Sequence, residues 1–438
     1  MGTGLAHQTA AVRSVQECSP PGWEWRRIKN VAVLNGASLP ENTAPDFEFE
    51  YVDVGAVTEN GKIASSDHLV FENAPSRARR LVNAGDTILS TVRTYLKAIA
   101  YISPDAADIV VSTGFTTITS DASVNPRFLF YWLRSTPVVE EIVARSVGVS
   151  YPAVNPSDVG DIGICVPTPA DQRRIVEFLD TNIVQLDELI AEQERLIDRL
   201  DERRTTLIDQ TVVRGLNPST PMKDSGIEWL GRIPSHWQAG RLKRYGRATI
   251  GLTFSPDDIV SEADEGTLVL RAGNVQESRI VLDDNVYVSC AIPTHLRLRG
   301  GDILICSRNG SAALIGKSAV IPESLAGSTW GTFMTVLRSP MNPFLKWVLR
   351  TSIFSQQVGL FATSTINQLT SSMLHNFEIP VPPPAEQAAI ANYLDHSVNE
   401  IDELIREANL FIELSKEYRQ ALITAAIAGQ LDFTRSAD

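Results

Sequence analysis

The sequence predicts an α+β protein built as an internal pseudo-twofold repeat, in which two α/β globular domains are separated by two long antiparallel coiled-coil helices. Three observations point there. Residues 171–190 (DQRRIVEFLDTNIVQLDELI) return, shifted by 215 positions, as residues 386–405 (EQAAIANYLDHSVNEIDELI). Gln172, Ile175, Leu179, Asp180, Asp187, Glu188, Leu189 and Ile190 recur as Gln387, Ile390, Leu394, Asp395, Asp402, Glu403, Leu404 and Ile405. Each copy opens a long stretch free of Pro and Gly, and each follows a segment of short apolar runs bounded by Gly, Asp, Asn and Pro. A period this long excludes a solenoid, whose units are a few tens of residues. It marks tandem duplication of a globular domain plus a helix.

The elements follow in order. Residues 1–21 form a loose leader without the apolar core of a signal peptide or the Ser/Thr at position 6 of a myristoylation motif. Residues 22–165 are the first globular domain, with strand-like DTILSTV and DIVVSTG and a helix near 127–135. Residues 166–215 are the first long helix. Pro167 and Pro169 suit its first turn, and Gly215 suits its C-terminal cap. Leu186, Ile190, Ile197, Leu200 and Leu207 fall in a 3/4 alternation, with Gln193 and Arg204 in the intervening slots. Residues 216–235 are a linker rich in turn residues. Residues 236–380 are the second domain, with strand-like LTFSP, TLVLRAG, DILICS and SAVIP and a helix near 344–357. Residues 381–430 are the second long helix, with a seam of Leu394, Val398, Ile401, Ile405, Ala408 and Ile412, continued by Leu414, Tyr418, Ala421 and Ala425. Residues 431–438 are a loose tail. Two separate surface helices are the alternative to a coiled coil, but helices this long rarely stand without a partner.

The duplication reaches into the domains. GWEWRRIK (22–29) matches HWQAGRLK (236–243), GDTILSTVR (85–93) matches GDILICSR (301–308), and FLFYWLRS (128–135) matches FLKWVLRT (344–351).

Composition bounds the function. The 438 residues are 43% hydrophobic and 21% charged, ordinary values for a globular protein rather than a disordered chain. No apolar run reaches the roughly 18–20 residues of a membrane span. Cys18, Cys165, Cys290 and Cys306 form no C-x-x-C pair and the six histidines do not cluster with them, so no metal site is expected and a reducing, cytoplasmic location is. The net charge of −13 argues against nucleic acid, but its distribution matters. Segments 170–214 and 381–438 carry −4 and −6, whereas 22–169 carries −5 and 236–380 carries +2. An acidic rod suits a protein partner, so DNA contact would have to come from local basic clusters.

The duplicated PP-x-x-EQ lead-ins, the D-E-L-I helices, the linker KDSGIEWLGRIPSHW and the tail LITAAIAGQLD together resemble the specificity subunits of type I restriction–modification systems, over nearly the whole chain. The first lead-in departs from the pattern, with TPADQ where the second has PPAEQ; the charge is kept. The resemblance implies that each globular domain is a target recognition domain reading one half of a split double-stranded DNA sequence. The helices would hold the readers apart and dock two methyltransferase subunits, which restriction subunits then join. It implies no chemistry in this chain and no cofactor of its own: S-adenosylmethionine, ATP and Mg are expected on the partner subunits, adenine methylation on the methyltransferase, and no membrane is involved.

The residues are compatible with this. No amino-methyltransferase [DN]-P-P-[FY] motif occurs, and G-x-S-x-G, H-E-x-x-H and EF-hand patterns are also missing. GSAALIGKS (310–318) approaches a P-loop, but Ser311 stands where its first glycine belongs, and a turn-strand segment is the alternative. Candidate DNA contacts are Arg77, Arg79, Arg80, Arg93, Tyr95 and Lys97 in the first domain, and Arg271, Asn274, Arg297, Arg299, Arg308, Asn309 and Lys317 in the second. Arg can grip guanine O6/N7, Asn can grip adenine, and Lys and Arg hold phosphate. Arg93 and Arg308 stand out because their loops follow the repeated Gly-Asp strands; an ordinary solvated arginine is the alternative for each. Trp23 and Trp237 read as core packing at the domain–helix junction, with base stacking as the minority reading. Asp187-Glu188 and Asp402-Glu403 read as helix surface facing solvent or the methyltransferase.

Overall fold

The computed structural model describes Val12 and residues 20–105, 108–261, 265–361 and 368–431. Apart from Val12, Pro20 and Pro21, the leader, including Cys18, lies outside the described residues, as does the tail beyond Leu431. The chain forms two compact units, one from residues up to Gln193 together with those from Asn409 on, the other from Glu194 to Ala408.

In the first unit, β1 (Glu24–Arg27) pairs antiparallel with β10 (Gly163–Val166), joining the start of the domain to its end. Only glycine fits at Gly163, where an added Cβ would strike the Trp25 ring. One four-stranded sheet has the order β2 (Ala32–Leu34), β9 (Phe115–Ser120), β6 (Thr87–Ser90), β7 (Ile99–Tyr101). The other has the order β4 (Asp67–Val70), β3 (Glu48–Val52), β8 (Ile109–Ser112), β5 (Ala78–Leu81), with β3 and β8 parallel. Helices α1 (Pro126–Arg134), α2 (Thr136–Ala144) and α3 (Pro156–Gly160) follow. Asn125 caps α1 by accepting from the Arg127 and Phe128 amides, with Pro126 in the first turn.

Helix α4 (Pro169–Arg214) has 46 residues, roughly 69 Å at about 1.5 Å per residue. Its first half seals the domain core: Ile175 and Leu179 bury against Phe128, Leu129 and Trp132. The same core takes Leu422, Ile423, Ala426 and Ile427 from the far end of the second long helix, α8 (Pro384–Ile427).

The second unit repeats this plan. β13 (Gln238–Arg241) pairs with β24 (Glu378–Val381), and β14 (Arg247–Ile250), β23 (Met334–Arg338), β20 (Ile303–Cys306) and β21 (Ser318–Val320) form the counterpart of the first sheet. A second sheet orders β15 (Ile259–Val260), β19 (Val286–Val288), β16 (Thr267–Leu270) and β22 (Thr329–Trp330), and β17 (Val275–Gln276) pairs antiparallel with β18 (Arg279–Ile280). Helices α5 (Asn342–Val348), α6 (Ser352–Phe361) and α7 (Ser371–Asn376) precede α8. Phe344, Leu345 and Trp347 bury against Ile208 and Val212 of α4 and Ile390 and Leu394 of α8.

Within each unit, the start of one long helix therefore packs beside the end of the other, the antiparallel arrangement. Ile190, Leu200, Leu394, Val398, Ile401 and Ile412 are buried, and Leu186, Ile197, Leu207 and Ile405 are half-buried. Past Ile412 the expected seam is corrected. Leu414 and Tyr418 are 56% and 58% exposed, and Ala421 is exposed too, while Ser415, Arg419, Leu422 and Ala426 are buried. The 3/4 rhythm continues unbroken through 408, 412, 415, 419, 422 and 426, but two of its slots hold polar residues, which misdirects a reading based on hydrophobicity.

The acidic pairs are corrected in part: Glu188 and Glu403 are exposed, as expected of a helix surface, but Asp187 and Asp402 are half-buried. Asp187 accepts from Arg419 Nη1 at 2.8 Å, and Asp402 accepts from Arg204 Nη1 at 2.7 Å. Arg204 and Arg419 are themselves equivalent positions, so one reciprocal ion pair appears twice. Duplication also shows at Asp180, bonded to Arg127 and Tyr131, and at Asp395, bonded to Lys346 and Trp347. Gln172 and Gln387 donate to the Pro167 and Pro382 carbonyls of the proline lead-ins.

Other expectations change in detail. The helix near 127–135 forms as one, Pro126–Arg134, with a further helix starting just after it at Thr136, whereas the stretch 344–357 is two helices, because a new one starts at Ser352. LTFSP is no strand: Leu252 makes one isolated bridge, and Ser255-Pro256 opens a capped 3-10 turn. The linker contains a two-stranded hairpin, β11 (Met222–Asp224) and β12 (Arg232–Pro234), anchored by the buried Leu230 and Ile233.

Both tryptophans sit at junctions. Gly215 and Gly429 end α4 and α8 with φ of 73° and 69°, a backbone conformation that favours glycine. A Cβ on Gly215 would lie 3.0 Å from Trp237, and one on Gly429 3.1 Å from Trp23. Trp237 is fully buried and its Nε1 donates to Glu386 at 2.9 Å, while His236 bonds the other carboxylate oxygen at 2.6 Å. Burial raises the Glu386 pKa, but these two bonds outweigh it and hold the carboxyl below its ordinary value. A carboxyl with a depressed folded pKa adds stability above its unfolded pKa and loses it as pH falls through the folded one. Urea midpoints measured from about pH 6 down to about pH 3 should therefore fall more steeply for the wild type than for Glu386→Gln.

Candidate nucleic-acid interface

The two Gly-Asp turns are built alike. Gly85 and Gly301 take φ of 90° and 81°. The buried Asp86 and Asp302 then close the turns by accepting from the Asn83 and Arg299 amides at 2.8 and 2.9 Å. The following strands, β6 and β20, are buried along their length, so each fixes the loop that leaves its far end.

In the first domain that loop carries Arg93, Tyr95 and Lys97, all exposed. Arg93 and Lys97 have φ of 49° and 52°, uncommon for residues with a side chain and held by the surroundings. The Arg93 amide donates to the Pro152 carbonyl at 2.8 Å, and the Thr94 and Ser146 hydroxyls bond at 2.7 Å. The Arg93 guanidinium lies 4.8 Å above the Tyr151 ring. Lys97 reaches Glu59 at 3.2 Å.

Arg77, Arg79 and Arg80 lie at or on β5, in the other sheet. The turn at Thr113-Gly114 links Arg77 to the Arg93 loop, since the Thr113 amide donates to the Arg77 carbonyl and the Thr91 amide to the Gly114 carbonyl, each at 2.8 Å. Arg77 is exposed and pairs with Asp53 at 2.7 Å. Arg79 is half-buried over Phe71, and Arg80 has a buried Nε without a hydrogen-bond partner.

In the second domain the loop carries Arg308 and Asn309. The Arg308 amide donates to the Phe333 carbonyl at 3.0 Å, and its guanidinium lies 5.3 Å from the centre of the exposed Phe333 ring. Arg271, Arg308, Asn309, Phe254 and Phe333 line an open cleft of about 840 Å³. Arg271 crosses it to Asp284 at 2.8 Å. Asn274 is buried: its amide accepts from the Arg271 backbone and donates to the Val281 carbonyl, both at 2.9 Å, which leaves it no free edge for a base. Asn309 accepts from the Ser311 amide at 3.0 Å.

Arg297 and Arg299 precede β20, at the opposite end from Arg308, and are not brought together with it. Arg297 donates to the Gly327 carbonyl at 3.1 Å. Lys317 is half-buried just before β21, and the near P-loop leads into that strand rather than into the helix whose N-terminus a phosphate needs.

The residues that sequence reading missed are the aromatic partners, Tyr151, Phe333 and Phe254. Their signal is an aromatic ring in a Gly-flanked segment (GVSYP, GTFM), but only the fold seats it beside an arginine. Among the described residues no helix is long and apolar enough to cross a membrane, and no His/Cys/Asp/Glu group could hold a metal.

The model of the type I restriction modification DNA specificity domain matches residues 20–199 and 294–414. The chain is 21% identical over 432 residues to the StySPI specificity subunit of Salmonella potsdam, covering 94% of this chain and 90% of that one. It is 23% identical over 428 residues to the MjaVIII specificity subunit of Methanocaldococcus jannaschii, covering 93% of each. With the EcoKI specificity subunit of Escherichia coli K12 it shares 26% identity over 207 residues, which is 46% of this chain and 44% of that relative. A solved chain from work on complex assembly and conformational transition of the type I R-M system aligns with a TM-score of 0.76 at 27% identity, over 94% of this chain and 99% of that one. The HsdS subunit from Thermoanaerobacter tengcongensis aligns with a TM-score of 0.53 at 25% identity, over 94% and 98%. With more than half of its residues matched, two sheet-rich recognition domains and two long helices that pack together, this chain belongs to the type I restriction modification DNA specificity family.

Proposed function

We propose that this protein is the non-catalytic, DNA-reading subunit of a cytoplasmic type I restriction–modification complex. Each recognition domain engages one half of a split duplex target. The long acidic helices set the unread gap and dock two methyltransferase subunits, through which restriction subunits join. S-adenosylmethionine, ATP and Mg act on those partners. One observation carries the reading: both domains place an exposed arginine, stacked on an exposed aromatic ring, on the loop that follows the same Gly-Asp strand. Such a pair is a guanidinium held ready for a base edge or a phosphate.

The acidic balance favours a second reading, a coiled-coil adaptor that binds proteins alone. Binding of duplex DNA by the complex with its methyltransferase, followed across a salt series, separates the two. A DNA reader gives affinity that falls steeply with salt and prefers one split sequence. An adaptor gives no salt-sensitive binding.

A further inference from the structure

In the first domain the hairpin beside Arg93 ends in residues that water should not favour. Val147, Val149 and Tyr151 are 79%, 101% and 65% exposed. Tyr95 and Leu96, on the adjoining loop, are 53% and 44% exposed. This tip is constructed rather than loose. Val147 and Ala153 exchange both backbone hydrogen bonds, at 2.8 and 3.0 Å, closing a five-residue loop. Gly148 has φ of 117°, and a Cβ there would lie 3.1 Å from the Tyr151 carbonyl. The bridge from Val92 to Ala153 and the Arg93–Pro152 hydrogen bond tie the hairpin to the basic loop.

We propose that the Val147–Tyr151 tip is a specificity element that packs Val149 against a thymine 5-methyl group in the major groove of the half-site read by the first domain. The inference rests on the DNA-reading function proposed above. Duplex DNA is the occupant that the surroundings favour. Arg93 and Lys97 stand beside the apolar tip, supplying cations for phosphates or guanine, and the thymine methyl is the apolar group that the major groove presents. Hydrogen bonding cannot explain a bare valine at such a place; burial of a methyl group can.

The test uses the complex with its methyltransferase and duplexes carrying its methylated motif. Each thymine in both half-sites is replaced in turn by deoxyuracil, which removes the methyl and leaves base pairing intact. At one position in one half-site, the wild-type complex is expected to lose about fourfold in affinity. Val149→Ser is expected to bind thymine and uracil there equally. The side chain is fully exposed, so this variant folds, and its salt dependence should match the wild type. Full thymine–uracil discrimination in Val149→Ser overturns the proposal, as does a wild type indifferent to every thymine methyl. Loss of methyltransferase co-purification in Val149→Ser, with discrimination retained, assigns the tip to a protein partner instead. A complex that methylates a split motif but shows no methyl effect refutes this inference alone, whereas one without salt-sensitive DNA binding removes the DNA-reading function as well.

Discussion

Alanine at Asp187 is expected to destabilise the first unit by about 3–5 kcal/mol, because it leaves buried cations without their counter-charge. Asp187 holds Arg419, whose side chain is 6% exposed, and also Lys62 at 2.7 Å. Arg134 is buried beside Arg419, and burial first, then the neighbouring Arg419, pull its pKa down to about 10. Asp187 and the Glu59 carbonyl, which accepts from Arg134 at 3.0 Å, offset that crowding. Removing Asp187 leaves two close guanidinium groups in a poorly solvated place. The duplicate site should respond less. Arg204 is 30% exposed and has Asp201 at 2.6 Å in addition to Asp402, so Asp402→Ala should cost about 1 kcal/mol or less. Urea unfolding of the two variants measures the difference. Adding Arg419→Met to Asp187→Ala should regain a large part of the loss, because an apolar pair leaves one fewer charge stranded.

Replacing Arg308 or Arg93 with alanine should weaken binding of the cognate duplex by about 10- to 100-fold where the guanidinium grips a guanine. Each loss should be confined to one half of the target, one half per domain. An arginine that holds phosphate instead gives a uniform loss on all sequences and a salt slope lower by about one. Asn274→Ala provides the contrast. Its amide is wholly engaged within the Arg271–Val281 turn, so the effect should appear in the unfolding midpoint and not in half-site preference. Titrations against duplexes altered in one half at a time distinguish these outcomes.

What the sequence made legible follows from what duplication preserves. Gln172 and Gln387, the proline lead-ins, the glycine caps and the seam as far as Ile412 are local or periodic features, and the helices form where those features place them. The seam was misread where its slots hold Ser415 and Arg419, because hydrophobicity selects Leu414 and Tyr418 while the fold buries the ion pair with Asp187. The hairpin at 222–234 was hidden among turn residues, since Leu230 and Ile233 gain their meaning only against the core of the second unit. For the candidate site, the Gly-Asp strands identified the loops of Arg93 and Arg308. The rings beneath those arginines come from distant positions, Tyr151 and Phe333, and only tertiary structure joins them. Asn274 illustrates the opposite case, a residue type suited to adenine whose side chain the local turn already occupies.

The most direct test is a map of adenine methylation in cells carrying this chain and its methyltransferase, compared with a variant that has four extra residues at equivalent points in α4 and α8. Four residues add about 6 Å of helix. Two half-site readers held at a set distance should give one bipartite motif, with both halves retained and the gap changed by one or two base pairs of about 3.4 Å each. A continuous motif, or a gap identical in the two strains, would contradict that account.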